Sequence, residues 1–215
     1  TFEPQPMEYF QPDAAPARLT RLREKLAAIR ADGIDRVMLL EFGPRLAAMP
    51  ADAFIEQLLV HVLGVRYLLV GDDFRFGRNR GGDFALLAAA GARCGFEVEN
   101  LHTITHAEER ISSTRVREAL AHGELEQARH LLGRRYAMRG RVAHGDKRGR
   151  SIGFPTANLP VHRRVSPLAG VYAVAVRDLE GGRLTAARPA GWGGDWQRLW
   201  PAVANVGHRP TVVGQ

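Results

Sequence analysis

The chain has 215 residues with a net charge of +7, and 45% of its residues are hydrophobic. This length and composition are typical of a globular protein with one large domain or two small ones. The sequence has no run of about 18 apolar residues, which argues against a membrane span and a membrane partner. Cys94 is the only cysteine, so a disulfide within the chain is impossible and we expect a cytoplasmic protein.

Arginine supplies almost all of the positive charge, because Lys25 and Lys147 are the only lysines. A guanidinium forms forked contacts with phosphate, so the charge favours a phosphate-bearing partner, either a nucleotide or a nucleic acid. An arginine-biased genome would explain the same charge. A basic nucleic-acid-binding module is an alternative function, but the arginines are scattered without a long basic run, and we predict no nucleic-acid partner.

Residues 1 to about 133 alternate between helix-like and strand-like apolar patterns. Apolar residues three or four apart predict helices, and short continuous apolar runs predict buried strands. The predicted helices contain Leu19, Leu22, Leu26 and Ile29; Phe54, Leu58 and Val62; and Phe84–Ala92. The predicted strands are Val37–Phe42, Tyr67–Val70 and Phe96–Asn100. This alternation indicates a parallel sheet, which binds ligands at the carboxyl ends of its strands. We also expect Cys94 to be buried.

One candidate binding loop follows the predicted strand Tyr67–Val70 and reads GDDFRFG. Its two carboxylates and two aromatic rings lie beside glycines and could hold a flat, polar ring. The alternative is a capped loop with Phe74 and Phe76 packed into the core, and the pattern alone favours this alternative.

A second candidate loop reads RISSTRVR and spans Arg110–Arg117. Ser and Thr are strong N-cap residues, and the apolar residues that follow predict a helix that starts near Thr114 and ends at Gly123. Free N–H groups at a helix start bind phosphate, and flanking arginines strengthen that binding. Ordinary capping with solvated arginines is the alternative. Three hydroxyl residues exceed the need of one cap, so we favour phosphate. A further helix is predicted over Leu125–Leu132.

After residue 133 the pattern changes to short strands separated by turns rich in Gly and Pro. Tyr136, Met138 and Val142 alternate with other residues, and Val171–Val176 and Pro201–Val206 are further strand candidates. Short strands without helices indicate a small antiparallel barrel or sandwich. Trp192, Trp196 and Trp200 lie in a segment to which the sequence assigns no role.

The stretch GDKRGRSIGFPTAN, residues 145–158, carries the most chemistry. Closely spaced glycines let the backbone turn sharply around a ligand, and basic side chains between them add charge for an anion. Thr156 and Asn158 offer neutral oxygens of the kind that suit Mg²⁺ together with phosphate oxygens. The stretch therefore suggests a nucleoside triphosphate with its metal, and a surface hairpin rich in Gly and Arg is the alternative.

Six motifs in order resemble the bacterial bifunctional riboflavin kinase/FMN adenylyltransferases, the FAD synthetases. They are TFEPQP, GDDFRFG, RISSTRVR, HGDKRGRSIGFPTAN, GVYAV and ANVGHRPTV. The resemblance implies an α/β plus β protein. Residues 1–133 would form a Rossmann-like nucleotidyltransferase domain, and residues 134–215 a six-stranded antiparallel riboflavin-kinase barrel. ATP, riboflavin and FMN would be the substrates, with Mg²⁺ as the metal, and no oligomeric state follows.

The resemblance also assigns roles to individual residues. A first group would lie near the flavin of the adenylyltransferase domain: Asp73, Phe74 and Phe76. A second group would lie near ATP phosphates in the same domain: Arg110, Ser113, Thr114 and Arg117. A third group would hold ATP in the kinase, with Mg²⁺ on the last two residues: Gly145, Lys147, Gly149, Gly153, Thr156 and Asn158.

The sequence departs from the family pattern in several places. The family's His-x-Gly-His-like motif and the catalytic glutamate of the kinase are not found, so we expect both ends of the enzyme to lie outside residues 1–215. We further expect this fragment alone to show little turnover. The family usually has His at the position of Gln5 and often Asn at that of Asp73. An alternative is therefore a riboflavin kinase whose adenylyltransferase is weakened.

Overall fold

The computed structural model describes residues 1–71, 73–101, 105–106, 109–143, 156–179 and 199–207. The chain groups into two compact units. The first comprises Thr1–Pro16, Thr20–Ser113 and Met138–Val161, and the second comprises Ala17–Leu19, Thr114–Ala137 and His162–Gln215. A domain boundary at residue 133 stays a prediction. Within the described ranges, no helix is both long enough and apolar enough to cross a membrane.

The first unit contains the predicted parallel strand pairing. Strand β1 (Phe2–Glu3) pairs in parallel with β2 (Leu40–Glu41), and β3 (Tyr67–Gly71) pairs in parallel with β4 (Glu97–Leu101). The predicted strands Tyr67–Val70 and Phe96–Asn100 are confirmed to within one residue. A short antiparallel pair, β5 (Thr105–His106) and β6 (Glu109–Arg110), follows β4. The carboxyl ends of β3 and β4 therefore lie side by side, because the register joins Val70 to Asn100 and Gly71 to Leu101.

The prediction of a buried strand over Val37–Phe42 is wrong. Only the two residues of β2 are in a strand, and Val37, Met38 and Leu39 are 37%, 38% and 44% exposed. An apolar run is buried only where another layer packs on it. Among the described residues, β2 pairs only with the short β1, so these side chains remain exposed.

Several helices belong to the first unit. They are α1 (Pro6–Phe10), α2 (Leu22–Ala31), α3 (Pro44–Ala47), α4 (Ala51–Ala53), which continues as a π-helix (Phe54–Val62), a 3₁₀ turn (Arg78–Arg80) and α5 (Phe84–Cys94). Eight buried residues form the core: Phe54, Ile55, Leu59, Val70, Phe76, Leu87, Ala90 and Phe96.

The π-helix explains why the sequence predicts the wrong buried face for residues Phe54–Val62. The sequence predicts that Phe54, Leu58 and Val62 share one face, but Val62 is 64% exposed and the buried residues are Phe54, Ile55 and Leu59. The N–H of Leu63 donates to the carbonyl of Leu58, five residues earlier. The turns are therefore wider than the 3.6 residues assumed from sequence, and later residues rotate off the predicted face.

Helix α5 begins at Phe84, as predicted, and ends at Cys94, two residues beyond the predicted Ala92. The Oδ1 atom of Asp83 accepts a hydrogen bond from the N–H of Leu86 at 3.0 Å, and Gly95 closes the helix at φ +79°. The prediction that Cys94 is buried is wrong, because the residue is exposed. It lies in the last turn of α5, beyond Gly91, which is the last buried residue of the helix.

Helices α6 (Ser113–Ala121) and α7 (Leu125–Leu132) agree with the sequence prediction. Gly123 and Gly133 follow them with φ +76° and +66°, the left-handed conformation that glycine adopts without strain. The buried residues of the two helices lie on one side of each: Val116, Ala119 and Leu120 in α6, and Ala128 and Leu131 in α7.

The second unit also contains the antiparallel pair β7 (Gly170–Val176) and β8 (Trp200–Val206), which confirms the strands predicted there. The predicted strand through Tyr136, Met138 and Val142 is wrong, since residues 134–142 form no strand. Their polar groups bond elsewhere: the hydroxyl of Tyr136 donates to the carbonyl of Leu19, and the N–H of Arg139 donates to Glu24 Oε1. A closed six-stranded barrel stays a prediction.

Candidate active site

The carboxyl ends of β3 and β4 carry the first group of candidate residues. The chain turns just after β3, where the N–H of Phe74 donates to the carbonyl of Gly71 at 3.0 Å. This turn brings the carboxylate of Asp73 back over the strand end, with its Oδ1 atom 3.4 Å from the position that a Cβ on Gly71 would occupy. The carboxylate therefore lies at the edge where parallel sheets bind ligands.

Asp73 forms an ion pair with Arg110. The Nη2 atom of Arg110 donates to Oδ2 of Asp73 at 3.0 Å, and the two side chains are 48% and 71% exposed. Such an exposed pair contributes little stability. It does join two motifs that are 37 residues apart in the chain. The structure thereby brings together residues that the sequence assigned separately to a flavin and to phosphate.

Phe74 and Phe76 have different surroundings. Phe76 is 6% exposed, belongs to the core and forms a bridge with Gly82, with N–H to carbonyl distances of 3.1 and 2.9 Å. Its ring lies 5.2 Å from that of Phe54. Phe74 is partly buried and stacks on Phe76, with ring centroids 5.6 Å apart and an angle of 21°. This agrees with the packing interpretation of the loop, and a flavin contact of either ring stays a prediction.

The residues around the start of α6 also differ in exposure. Ser113 and Thr114 are exposed in its first turn. Arg117 is partly buried, and its Nε atom donates to the carbonyl of Ala17 at 2.7 Å. Desolvation by burial lowers the pKa of the Arg117 guanidinium below its ordinary value. Arg117 therefore holds the segment that contains Ala17, whatever else it contacts, and its phosphate contact stays a prediction.

The glycine-rich stretch is only partly described. Gly145, Lys147, Gly149 and Gly153 lie outside the described residues. Thr156 and Asn158 are described and exposed, and the carbonyl of Asn158 accepts a hydrogen bond from the N–H of Ala143 at 2.9 Å. That backbone contact fixes residue 158 while its side chain faces solvent, so the oxygens of both side chains are accessible to a hard cation. Over the described part of the chain, no His, Cys, Asp and Glu cluster could hold a metal.

Sequence reasoning missed a polar cluster in the second unit. The Nη1 atom of Arg163 donates to the hydroxyl of Tyr136 at 2.9 Å and to the carbonyls of Arg18 and Leu19. The Tyr136 hydroxyl donates to the same Leu19 carbonyl at 3.0 Å. These partners lie up to 145 residues apart, and no local pattern could have predicted them.

Asn100 was also missed as a functional candidate. The sequence placed it only as the end of a strand, although a polar residue on the strand face that carries Phe96 and Val98 was a signal. Its Oδ1 atom is buried and has no hydrogen-bond partner among the residues that the structure describes.

Two family models match the chain, one in each part. The family model described as FAD synthetase matches residues 1–115, which is more than half of the chain. The chain belongs to the FAD synthetase family. A second family model, described as riboflavin kinase, matches residues 132–215. The FAD synthetase and riboflavin kinase matches follow one another in a two-domain architecture.

Curated relatives carry both activities in their names. The chain is 51% identical over 213 residues to the bifunctional riboflavin kinase/FMN adenylyltransferase of Escherichia coli K12, covering 99% of this chain and 63% of that protein. It is 47% identical to the protein of the same name from Haemophilus influenzae, covering 99% of this chain and 64% of that protein. The chain therefore spans less than two thirds of the length of these relatives.

A solved structure shares the fold. A crystal structure described as a macrolide-efflux protein from Streptococcus pneumoniae matches with a TM-score of 0.72 and 27% identity. The match covers 96% of this chain and 62% of that one. The likeness therefore extends over nearly all of this FAD synthetase family chain.

Proposed function

We propose that the full-length protein makes FMN from riboflavin and ATP, and then makes FAD from FMN and a second ATP. The observation that carries this proposal is 51% identity over 99% of the chain to an enzyme named for both reactions. The FAD synthetase and riboflavin kinase matches support one reaction in each part of the chain. We assign residues 1–133 to the adenylyltransferase and residues 134–215 to the kinase, which we propose is a six-stranded barrel. A cytoplasmic location stays a prediction.

In the adenylyltransferase, we assign the flavin to the carboxyl edge of β3 and β4, beside Asp73, Phe74 and Phe76. The ion pair of Asp73 with Arg110 supports this assignment, because it holds a guanidinium at the edge where ligands bind. The proposed phosphate contacts are Arg110, Ser113, Thr114 and Arg117. Adenylyl transfer places the FMN phosphate against the α-phosphate of ATP and releases pyrophosphate. The negative charge that gathers there requires neutralisation by such donors.

In the kinase, we assign the phosphates of ATP to the glycine-rich stretch with Gly145, Lys147, Gly149 and Gly153. Thr156 and Asn158 would hold Mg²⁺ and phosphate, and their exposed oxygen-bearing side chains suit a hard cation. When bound, Mg²⁺ neutralises charge on the transferred phosphoryl group. The chain's own residues orient the phosphates, because phosphoryl transfer depends on positioning and charge more than on covalent help.

Substitutions at Thr156 and Asn158 test the division into two sites. We expect Thr156→Ala or Asn158→Ala to reduce FMN formation from riboflavin by at least about 100-fold, a loss of the size seen for charge-stabilising groups. FAD formation from supplied FMN should stay within about twofold of the wild-type rate. The measurement is chromatographic separation of riboflavin, FMN and FAD after incubation of the full-length protein with ATP and Mg²⁺.

Leu159→Ala provides a matched control, because Leu159 is exposed in the same segment and lacks a polar side chain. It should leave both reactions unchanged. A parallel fall of both reactions in Thr156→Ala would contradict two separate sites. Absence of both products with the wild-type protein would refute the proposed function itself.

A further inference from the structure

The side-chain oxygen of Asn100 is a buried hydrogen-bond acceptor for which the described part of the chain supplies no donor. The residue lies on the face of β4 that also carries Val98, which packs against the core, and its register partner is Val70, which is 8% exposed. Among the described residues no donor reaches its Oδ1 atom. Buried polar atoms are almost always hydrogen-bonded, and an exception calls for a specific cause.

The position of Asn100 suggests that cause. It is the penultimate residue of β4, beside the end of β3, where the carboxylate of Asp73 lies over Gly71. Ligands of parallel sheets bind at this edge. An acceptor that is unsatisfied in the ligand-free protein becomes satisfied if the ligand supplies the donor, and a site of this kind rejects ligands that lack the donor.

We propose that Oδ1 of Asn100 accepts a hydrogen bond from an N–H group on a planar heterocycle, and that Asn100 thereby helps to select the ligand at this edge. The inference rests on the proposed adenylyl transfer. Two substrates of that reaction carry such a group: the adenine of ATP has an exocyclic amine, and the isoalloxazine of FMN has an imide N–H. Asn100 is thus a specificity-determining residue.

Ligand analogues identify the donor. For the wild-type full-length protein we would measure KM in FAD formation with ATP against purine riboside triphosphate, and with FMN against N3-methyl FMN. We expect the KM of one analogue to be about tenfold higher than that of its natural ligand, which is the effect of losing one hydrogen bond to a buried acceptor. Asn100→Leu should weaken the natural ligand by a similar factor and abolish discrimination against that analogue. The natural ligand whose analogue shows this pattern is the one that donates the N–H group.

The stability of the ligand-free protein separates ligand recognition from a structural role. Leucine has a similar size and removes an unsatisfied oxygen from apolar surroundings, so Asn100→Leu should raise Tm by about 2–4 °C. Asn100→Asp keeps an acceptor oxygen and should bind the natural ligand more tightly than Asn100→Leu does. Glu97→Ala is the matched control, because Glu97 is exposed on the opposite face of the same strand; it should change neither affinity nor discrimination.

Three results would overturn the inference: unchanged KM values in Asn100→Leu, analogue discrimination that persists in Asn100→Leu, or a lowered Tm or failure to fold. Equilibrium titration with the same ligands keeps the question separate from turnover. The wild-type protein and the Asn100→Leu variant have the same kinase site. A difference between their titrations is therefore caused by the change at Asn100. If the ligands bind but no FAD forms, the proposed function is refuted. The role of Asn100 is then tested by the ligand affinities of the wild-type protein and the Asn100→Leu variant. Binding of neither ligand would refute both.

Discussion

The parallel pair β3–β4 and the antiparallel pair β7–β8 differ in a way that their hydrogen bonds do not predict. The β7–β8 register joins seven residue pairs and that of β3–β4 only five. Yet no residue of β7 or β8 is buried, whereas Val70 of β3 lies in a core of eight buried side chains. The number of paired residues therefore does not indicate how strongly a strand pair is stabilised. The burial of apolar surface is the better indicator.

The difference matters for function because positions near a packed core are held more precisely than positions on exposed segments. The loop with Asp73 is anchored through Phe76, which packs on Phe54 and pairs with Gly82. Asn100 belongs to a strand that shares the same core. The core below β3 and β4 thus supports the edge to which we assign the flavin and the nucleotide.

The largest expected effect comes from removing a core side chain beneath β3 and β4. Leu87 is 0% exposed, and Leu87→Ala should lower the free energy of unfolding by about 2–5 kcal/mol, through lost burial and the cavity that remains. Val203→Ala on β8 is the matched control, since Val203 is 76% exposed and its change should stay within about 0.5 kcal/mol. Urea unfolding of both variants measures the contrast, and equal losses would contradict it.

A smaller effect should follow from adding a methyl group where α5 meets β4. A Cβ on Gly91 would lie 2.4 Å from the carbonyl oxygen of Phe96 and 3.1 Å from Cγ2 of Val98. Gly91→Ala should therefore destabilise by about 1–3 kcal/mol as the backbone shifts. Gly207→Ala, just after β8, meets no atom of the described residues within 4 Å and should be nearly neutral. The same unfolding measurement applies, and a neutral Gly91→Ala would mean that α5 and β4 pack less rigidly than described.

The smallest effect on stability is expected at Asp73. Asp73→Ala removes an exposed ion pair and should change the free energy of unfolding by less than about 1 kcal/mol. FAD formation should nevertheless fall, because Arg110 loses the carboxylate that positions it. Glu126→Ala breaks an ion pair of the same length, 3.0 Å to Arg129 on α7, and should leave FAD formation unchanged. Equal rates of FAD formation in Asp73→Ala and Glu126→Ala would contradict the assignment of Asp73 and Arg110 to the site.

The local sequence pattern was sufficient to predict strands and helices that are determined by residues close together in the chain. The strands β3, β4, β7 and β8 and the helices α6 and α7 were predicted because apolar periodicity and glycine at helix ends act within a few residues. The order of motifs was likewise enough to indicate the FAD synthetase family. Features that depend on partners distant in the chain could not be predicted in this way.

Only the tertiary structure decided which apolar residues are buried and which polar groups meet. The run Val37–Phe42 is apolar but largely uncovered, and the wider turns of the π-helix carry Val62 into solvent. Folding joins segments far apart in sequence, and it thereby pairs Asp73 with Arg110 and buries an Asn100 oxygen that has no donor within the described ranges. Burial and electrostatic contact depend on neighbours in space, whereas periodicity reports only neighbours along the chain.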